Sequence, residues 1–364
     1  MLYIRFLSVG CADGIHIRYY GIDNKWHNIL IDGGRNSTYH SKVKPILEEI
    51  ISNDECIDIW IISHIDDDHI GALLYALEHD IAAIKKCIST NTKMFYNHNI
   101  DDDYTLNCDN GELKSVPQGI KLVEFLSNNR ISVINNITND SDEVKHYGAN
   151  IRFLSPCRKY YADFLEKWHS NQIKKDRKKD IEYKAAQQSD YKIPYSCLIH
   201  GHFEEDRSVW NKSSIACLFR FLGYDFIFSA DASPITICES LQQLGYSSVN
   251  KLDVEFMQLP HHGSKYNISN ELLEIINCNN YVVSANGVNN HCLPNKEAIS
   301  RVIYTNRHKQ ANIFLTDNTK ELREMFAYEA DENVRKTQFY FRNTDILISL
   351  QNGKIIYSTG QHKQ

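Results

Sequence analysis

Apolar and polar residues alternate with two different periods, which predict strands and helices in turn. A period of two predicts strands over Leu2–Val9 and Ile15–Tyr20, and an apolar run before a Gly-Gly turn predicts a third over Asn28–Asp32. Apolar residues at helical spacing predict a helix over Tyr39–Ser52, and the β-branched run Ile57–Ser63 predicts a buried strand. Strands and helices in this order favour a layered α/β fold.

The middle of the chain, about 85–210, is less regular. It contains an acidic turn at Asp101–Asp103, a predicted helix over Gly119–Asn128, a predicted strand over Asn150–Leu154, and the charged stretch Lys174–Lys184. Such a charge run is usually a solvated helix face or loop, and the alternative is a patch that contacts a phosphate backbone. Because no repeat or low-complexity linker is found, we expect one domain over residues 1–364 with an irregular insertion.

The alternation of strands and helices returns from residue 211 onward. The predicted strands are Ser214–Phe221, Tyr224–Ser229, Asp253–Leu259, Asn280–Ser284, Asn312–Leu315 and Asp345–Leu350, with helices over Ser233–Leu244, Asn270–Ile276 and Asn295–Tyr304.

Composition is that of an ordinary soluble globular protein. Of 364 residues, 42% are hydrophobic and 24% are charged, and 40 Lys and Arg against 46 Asp and Glu give a net charge of −6. This balance supplies no overall basic field for coating nucleic acid, although a local basic groove is compatible with it. The apolar runs are far shorter than the ~20 residues that span a bilayer, and the first residues do not resemble a signal peptide. The ten cysteines stand singly without a CxxC pair. We therefore expect a cytoplasmic protein with reduced thiols and no membrane partner.

The sequence SHIDDDHIGA, directly after the strand predicted to end at residue 63, carries the clearest chemistry. His64 and Asp66 alternate and can converge on one metal ion, whereas Asp68 and His69 are adjacent and can turn toward a second. Strand ends are where α/β proteins place ligands, and this donor set suits Zn²⁺, Mn²⁺ or Fe²⁺. The alternative is an acidic turn in which Asp67 or Asp68 caps the next helix.

This motif, H-x-D-x-D-H-x-G after an apolar strand, resembles the signature of the metallo-β-lactamase superfamily. The aspartate at its second ligand position is similar to the branch typified by the soluble hydrolase domain of the competence DNA-uptake protein. Further segments resemble that branch in the same order: FLSVGCADGIHIRYY at 6–20, NILIDGG at 28–34, RFLSP at 152–156, NKSSIACL at 211–218, FIFSADAS at 226–233, QLPHHGSKYN at 258–267 and SANGVNNHCLP at 284–294. The resemblance implies a four-layer αββα sandwich.

The resemblance also implies a two-metal site. It implies His64 and Asp66 as ligands of one ion, Asp68 and His69 with a later histidine as ligands of the second, and Asp231 as the bridge. His262 is our choice for the later histidine, with His261 as an outer partner, an alternate ligand or a substrate-binding residue. The histidine that usually precedes the bridging aspartate has no clear match; its candidates are Asn211, His200 and His202.

Three further residues are candidates for substrate handling. His291 is either a ligand or a proton donor, and with Asp68 it is a candidate catalytic residue. Ser264 and Lys265 are candidates for holding a phosphate, one as a hydrogen-bond donor and the other as a point charge.

The function implied is a metal-dependent hydrolase with two divalent ions, Zn²⁺ or Mn²⁺, whose activated hydroxide attacks phosphorus or a carbonyl carbon. Within the branch, the resemblance points to a phosphodiesterase or nuclease acting on a nucleic acid or nucleotide, with a protein partner as a further expectation. One alternative is a hydrolase of small esters, lactones or amides. A third hypothesis is a non-catalytic effector or interaction subunit with a degraded metal site.

Overall fold

The computed structural model describes residues 1–99, 116–173 and 189–357. The predicted acidic turn Asp101–Asp103 and the charged stretch Lys174–Lys184 lie outside the described residues.

The described residues form two large sheets, a small two-stranded sheet, and helices between the strands. In the first sheet the strands are β1 Leu2–Phe6, β2 Gly14–Tyr20, β3 Trp26–Asp32, β4 Ile57–Ile62, β5 Ile88–Tyr96, β6 Val133–Ile134, β17 Ile346–Gln351 and β18 Lys354–Tyr357. In the second sheet they are β7 Val144–His146, β8 Ala149–Ser155, β9 Ala216–Phe221, β10 Tyr224–Phe228, β12 Phe256–Gln258, β14 Asn280–Val283, β15 Asn312–Leu315 and β16 Gln338–Phe341. The small sheet pairs β11 Leu252–Val254 with β13 Ile276–Cys278.

The helices are α1 Lys44–Ser52, α2 Asp67–His79, α3 Ile81–Cys87, α4 Val116–Asn128, α5 Arg158–Ile173, α6 Tyr195–Leu198, α7 Val209–Lys212, α8 Pro234–Gln243, α9 Asn270–Ile275, α10 Lys296–Thr305, α11 Lys320–Glu324 and α12 Glu332–Lys336. None of the helices in the described parts of the chain is long and apolar enough to cross a membrane.

Strand order is β18-β17-β1-β2-β3-β4-β5-β6 in the first sheet and β16-β15-β14-β12-β10-β9-β8-β7 in the second. In each sheet a parallel part joins an antiparallel part: β3 to β6 are parallel in the first, as are β10, β12, β14, β15 and β16 in the second. The C-terminal strand β17 pairs with β1, with Leu2 opposite Leu350.

Side chains that alternate along these strands fill three apolar layers. Phe6 of the first sheet and Phe228 and Phe256 of the second belong to the core between the sheets. On the other face of the first sheet, Trp60 packs with helices α1 to α5, and on the other face of the second, Ile227 packs with α8 to α12. Two sheets face to face with helices on both outer surfaces confirm the predicted four-layer αββα sandwich.

The predicted strand Asp253–Leu259 is wrong as a single element. Leu252 and Val254 pack in the outer core of the second sheet, whereas Phe256, at the same spacing, packs between the sheets. The chain therefore bends at Glu255, whose backbone N–H donates to the Asp225 carbonyl, and the segment divides into β11 and β12.

The predicted helix Tyr39–Ser52 begins with a π-helical turn, Tyr39–Val43, and becomes α-helical only at Lys44. Among the described residues the cysteines form no disulfide, as predicted.

Candidate metal centre

The ends of strands from both sheets bring the predicted ligands together. β4 ends just before His64, and the first turn of α2 carries Asp68 and His69. In the second sheet, Asp231 follows β10 and His262 follows β12, two neighbouring parallel strands. Because all of these strands end at the same edge of the sandwich, residues almost 200 positions apart in the chain meet in one pocket.

Asp231 lies in the centre of this group, with histidines on both sides of its carboxylate. Its Oδ1 lies 3.4 Å from Nε2 of His69 and 3.9 Å from Nε2 of His262. Its Oδ2 lies 3.7 Å from Nε2 of His64 and 3.5 Å from Nε2 of His261. Asp231 is buried, so each oxygen faces two imidazole nitrogens away from solvent.

Two further aspartates extend these two groups. Asp66 Oδ2 lies 3.7 Å from Nε2 of His64, and Asp68 Oδ2 lies 3.4 Å from Nε2 of His262. The first group is therefore His64, Asp66, His261 and Asp231 Oδ2, and the second is Asp68, His69, His262 and Asp231 Oδ1. We call them the first and second donor sets.

The inner nitrogens of His64 and His69 are held by one carboxylate and one hydroxyl. Asp32 Oδ2 lies 2.8 Å from Nδ1 of His69 and accepts a 2.7 Å hydrogen bond from Ser63 Oγ. The same Ser63 oxygen lies 3.1 Å from Nδ1 of His64. These partners turn both rings so that Nε2 points at Asp231, the outer support that metal-binding histidines usually have.

His261 has an equivalent support on its own side. Its Nδ1 lies 2.9 Å from Oδ1 of Asn267 and 3.2 Å from Oδ2 of Asp206. Asn211 donates to that same Asp206 oxygen over 2.6 Å. With Nδ1–H directed at these oxygens, the other nitrogen of His261 presents a lone pair toward Asp231.

The two adjacent histidines reach different sides of Asp231 because the backbone is left-handed through this turn. The φ angles are 47° at His261, 55° at His262 and 80° at Gly263. A Cβ on Gly263 would lie 2.7 Å from the Cβ of Pro294, so this position accepts only glycine without movement. Left-handed residues other than glycine are uncommon and cluster at functional sites.

Charges in the pocket shift the pKa values of its groups. Burial opposes protonation of His69 and ionisation of Asp231, but their mutual attraction wins: the pKa of His69 is raised well above its ordinary value, and that of Asp231 is held well below. Burial likewise opposes protonation of His261, yet Asp231 and Asp206 raise its pKa to about 10. The concentrated negative charge therefore attracts cations, whether protons or metal ions.

The unpartnered atoms of the pocket fit divalent metal ions. Nε2 of His64, His69 and His262 and Oδ1 of Asp231 are buried without a hydrogen-bond partner. Buried polar atoms are nearly always partnered, so such a convergent set calls for a bound group. Two ligands of one tetrahedral ion lie roughly 3.3–3.5 Å apart, close to the nitrogen–oxygen distances within each donor set. A set of imidazoles and carboxylates suits Zn²⁺, Mn²⁺ and Fe²⁺.

The donor sets are partly exposed to solvent. Asp66, Asp68 and His261 keep 34%, 21% and 23% of their side chains exposed, whereas His64 and His262 are buried. Solvent therefore reaches both donor sets at an aspartate or at His261.

Arg35 lies at this opening. Its guanidinium donates to Oδ2 of Asp68 over 3.2 Å and to the Cys11 carbonyl over 3.2 Å, and it lies 3.4 Å from Asp67. The interpretation of Asp67 or Asp68 as the helix cap is wrong, because α2 begins at Asp67 and its N-cap is Asp66, which makes no side-chain cap bond.

The remaining predicted site residues differ in how far their side chains are buried. Ser264 is buried and accepts from the Tyr266 N–H, and Lys265 Nζ lies 3.5 Å from a Glu297 oxygen. His291 is exposed in a turn, where its backbone N–H donates to Asn289.

Of the three candidates for the missing histidine, none points at Asp231. Asn211 lies behind His261, 3.3 Å from its Nδ1, and His200 and His202 are exposed. His261, in contrast, places Nε2 3.5 Å from Oδ2 of Asp231.

Sequence reasoning did not assign roles to Asp32, Asp206, Asn267 and Asp13. Asp32 stands in the NILIDGG segment and Asp13 in the CADG turn. Both segments belong to the motif resemblance, but the sequence alone gives neither aspartate a role. Both Asp13 oxygens are buried and without a hydrogen-bond partner, Oδ1 being 3.7 Å from Nδ1 of His262, and burial raises the Asp13 pKa. Asp206 and Asn267 carry no local signal, because only the fold brings them to His261.

No family model matches the chain, and no curated protein does. Among solved structures, the chain is similar to the metallo-β-lactamase fold protein YhfI from Bacillus subtilis, at 9% identity and a TM-score of 0.40 over 95% of this chain and 99% of that one. It is also similar to CmlA, a diiron β-hydroxylase from Streptomyces venezuelae, at 12% identity and a TM-score of 0.39 over 84% of this chain and 50% of that one. Structural similarity at these scores supports no conclusion about function. The function must therefore be argued from the chemistry of the site.

Proposed function

We propose that this protein is a metal-dependent hydrolase of the metallo-β-lactamase type, with two divalent ions held on either side of Asp231. The observation that carries the proposal is the pair of donor sets that share this one carboxylate, with His69 and His261 within 3.5 Å of its two oxygens. In this proposal His261 is a ligand of the first ion, in place of the candidates Asn211, His200 and His202.

Bound ions supply a water of lowered pKa and offset the charge that builds on a scissile group. The residues of the chain do the rest. Asp32 and Ser63 fix the rings of His69 and His64, and Arg35 holds Asp68 at the opening. His64, His69 and His262 are buried, whereas Asp66, Asp68 and His261 are partly exposed, so water and substrate would meet the ions on the side of these three residues.

We further propose phosphodiesters, in a nucleic acid or nucleotide, as the substrate. Support comes from the motif resemblance to the DNA-uptake branch and from Ser264 and Lys265, which follow the two histidines after one glycine. Lys265 is partly exposed, and its Nζ lies 3.5 Å from an oxygen of Glu297. The metal identity within this proposal is Zn²⁺ or Mn²⁺.

Hydrolysis assays on a panel of substrates test the proposal. The panel contains single- and double-stranded DNA, RNA, cyclic dinucleotides, and carboxyl esters and lactones, each with Zn²⁺ or Mn²⁺ at equal concentration. The purified full chain is compared with D231N, which alters the carboxylate shared by both donor sets, and with H79Q. His79 is an exposed residue at the end of α2 and serves as the control.

We expect phosphodiester cleavage that D231N lowers by at least ~100-fold and that H79Q leaves unchanged. Equal cleavage by the wild type and D231N on every phosphodiester contradicts the proposed nuclease. Hydrolysis confined to esters or lactones replaces it by a small-molecule hydrolase. Metal content below one equivalent after reconstitution favours the effector subunit.

A further inference from the structure

A second cluster of metal-binding side chains lies at the opposite end of the strands from the donor sets. His27 and Asp58 are the second residues of β3 and β4, whereas the candidate centre lies after the last residues of these strands. His146 is the last residue of β7, in the other sheet. One ligand atom from each of the three lies within 4.8 Å of those of the other two.

His146 turns a lone pair toward Asp58. Its Nδ1 lies 2.7 Å from the Tyr19 hydroxyl, which donates its own hydrogen to the His146 carbonyl over 2.9 Å. The hydroxyl oxygen therefore accepts from Nδ1–H, and Nε2 carries the lone pair. This Nε2 lies 3.6 Å from Asp58 Oδ1, too far for a hydrogen bond.

His27 lies between two carboxylates. Its Nε2 lies 2.9 Å from Asp23 Oδ1, and its Nδ1 lies 3.0 Å from Asp58 Oδ1. A carboxylate on one ring nitrogen and a ligand position on the other is the usual support of a metal-binding histidine. Gly21 makes room for this, since a Cβ there would lie 2.7 Å from Cδ2 of His27.

Asp58 completes the set with Oδ1, which lies 3.0 Å from His27 Nδ1 and 3.6 Å from His146 Nε2. Its Oδ2 accepts from the Asn28 backbone N–H over 2.8 Å, which leaves Oδ1 facing both imidazoles. Thus each of the three side chains is fixed at its far atom by a hydrogen bond and directs its near atom at a common point.

The loops around the cluster contact each other across the two sheets. Tyr147 and Gly148, both with positive φ, form the two-residue turn between β7 and β8 that directly follows His146. The Ile22 N–H donates to the Tyr147 carbonyl over 3.0 Å, and the Tyr147 ring stacks on His27 at 4.4 Å between centroids. These contacts join the loops on both sides of the cluster.

We propose that His27, Asp58 and His146 form a second binding site, for one Zn²⁺ ion that links the two sheets. Two imidazoles and one carboxylate are a typical Zn²⁺ donor set, with a fourth position open to water. The distances of 3.0 and 3.6 Å from Asp58 Oδ1 to the two histidine nitrogens bracket the roughly 3.3–3.5 Å between ligands of one tetrahedral ion. The site is independent of the proposed hydrolase activity, because none of its residues belongs to either donor set.

Metal analysis of variants tests this site apart from the candidate centre. Zn²⁺ per chain is measured by mass spectrometry after equilibrium dialysis of the full chain, and affinity by chelator competition. H146Q and D58N each remove one ligand, and D58N keeps an oxygen for the Asn28 N–H. K145Q changes the exposed neighbour on the same strand and is the control, and D231N disrupts only the candidate centre.

We expect H146Q and D58N to lower bound Zn²⁺ by about one equivalent, in the wild type and in the D231N background alike, with K145Q unchanged. Crystals grown with Zn²⁺ should show an anomalous peak between the three side chains. Unchanged stoichiometry and affinity in the folded D58N variant, or no anomalous peak at the cluster, overturns the proposal and leaves His27 as a hydrogen-bonded link between Asp23 and Asp58.

Discussion

Asp32 Oδ2 lies 2.8 Å from Nδ1 of His69, and both side chains are fully shielded from solvent. The pair lies beneath the candidate metal centre and sets the orientation of the imidazole that faces Asp231. Asp32 contacts His69 directly, whereas Nδ1 of His64 lies 3.1 Å from Ser63 Oγ.

Replacing Asp32 by Asn tests this support. Asn tolerates the positive φ of 55° at this position, so the backbone should stay in place. We expect D32N to weaken metal binding by about 10–100-fold, because the charged carboxylate beside Nδ1 of His69 becomes a neutral amide with only one accepting oxygen. Chelator competition measures the affinity, and nitrogen chemical shifts of His69 report the tautomer. D80N, at a carboxylate bound to Lys44 away from the pocket, is the control; equal affinity in D32N and D80N contradicts the support.

Replacing each histidine of the HHGS motif separates a ligand from an outer partner. If His261 is a ligand of the first ion, H261Q and H262Q each lower bound metal by about one equivalent, since each faces a different oxygen of Asp231. H200Q, at an exposed histidine, should bind as the wild type does. Two full equivalents in H261Q return His261 to the outer role that the sequence also allowed.

Gly263 offers a test of the turn itself. In G263A the new methyl group meets Pro294 at 2.7 Å and the residue must keep a φ of 80°. G223A has nearly the same φ, 83°, with no atom within 4 Å of its Cβ, so it isolates the backbone cost. We expect G223A to lower the free energy of unfolding by ~1 kcal/mol and G263A by more, with loss of metal affinity in G263A alone. Equal effects of the two substitutions on unfolding and on metal binding would contradict the close packing.

The burial of His16 predicts that the fold loses stability in acid. It is buried in β2 with Nε2 2.9 Å from Asn28 Oδ1, and burial lowers its pKa from 6.5 to about 4. The unfolded chain protonates His16 near pH 6.5, whereas the folded chain protonates it only near pH 4. The free energy of unfolding therefore has its full value above pH 6.5. It decreases by about 3 kcal/mol as pH falls from 6.5 through 4.

Urea unfolding of the wild type and H16Q between pH 7.5 and 4 measures this effect. The stability difference between the two proteins should shrink by about 3 kcal/mol as pH falls, since the other titrating groups are common to both. A difference that stays constant over this range excludes His16 as the source.

Much of the fold was predictable from the sequence because the period of apolar residues is a local property. The alternation in Tyr224–Ser229 and the helical spacing in Ser233–Leu244 correspond to β10 and α8 within two residues at each end. The segment Asp253–Leu259 was not predictable, since its bend at Glu255 serves two different cores that are assembled from distant strands.

The sequence by itself determined the chemical types of the candidate site: alternating His and Asp after an apolar strand, a later Asp, and a His-His pair. Only the tertiary structure decided how they are shared between two donor sets, because that depends on the packing of the two sheets. The left-handed turn at His261 and His262 sends adjacent residues to opposite oxygens of Asp231. The same packing brings His146 to His27 and Asp58 at the other end of the strands. Neither arrangement has a local signature, since the contacting atoms belong to segments that are separated in the chain and are joined by the core between the sheets.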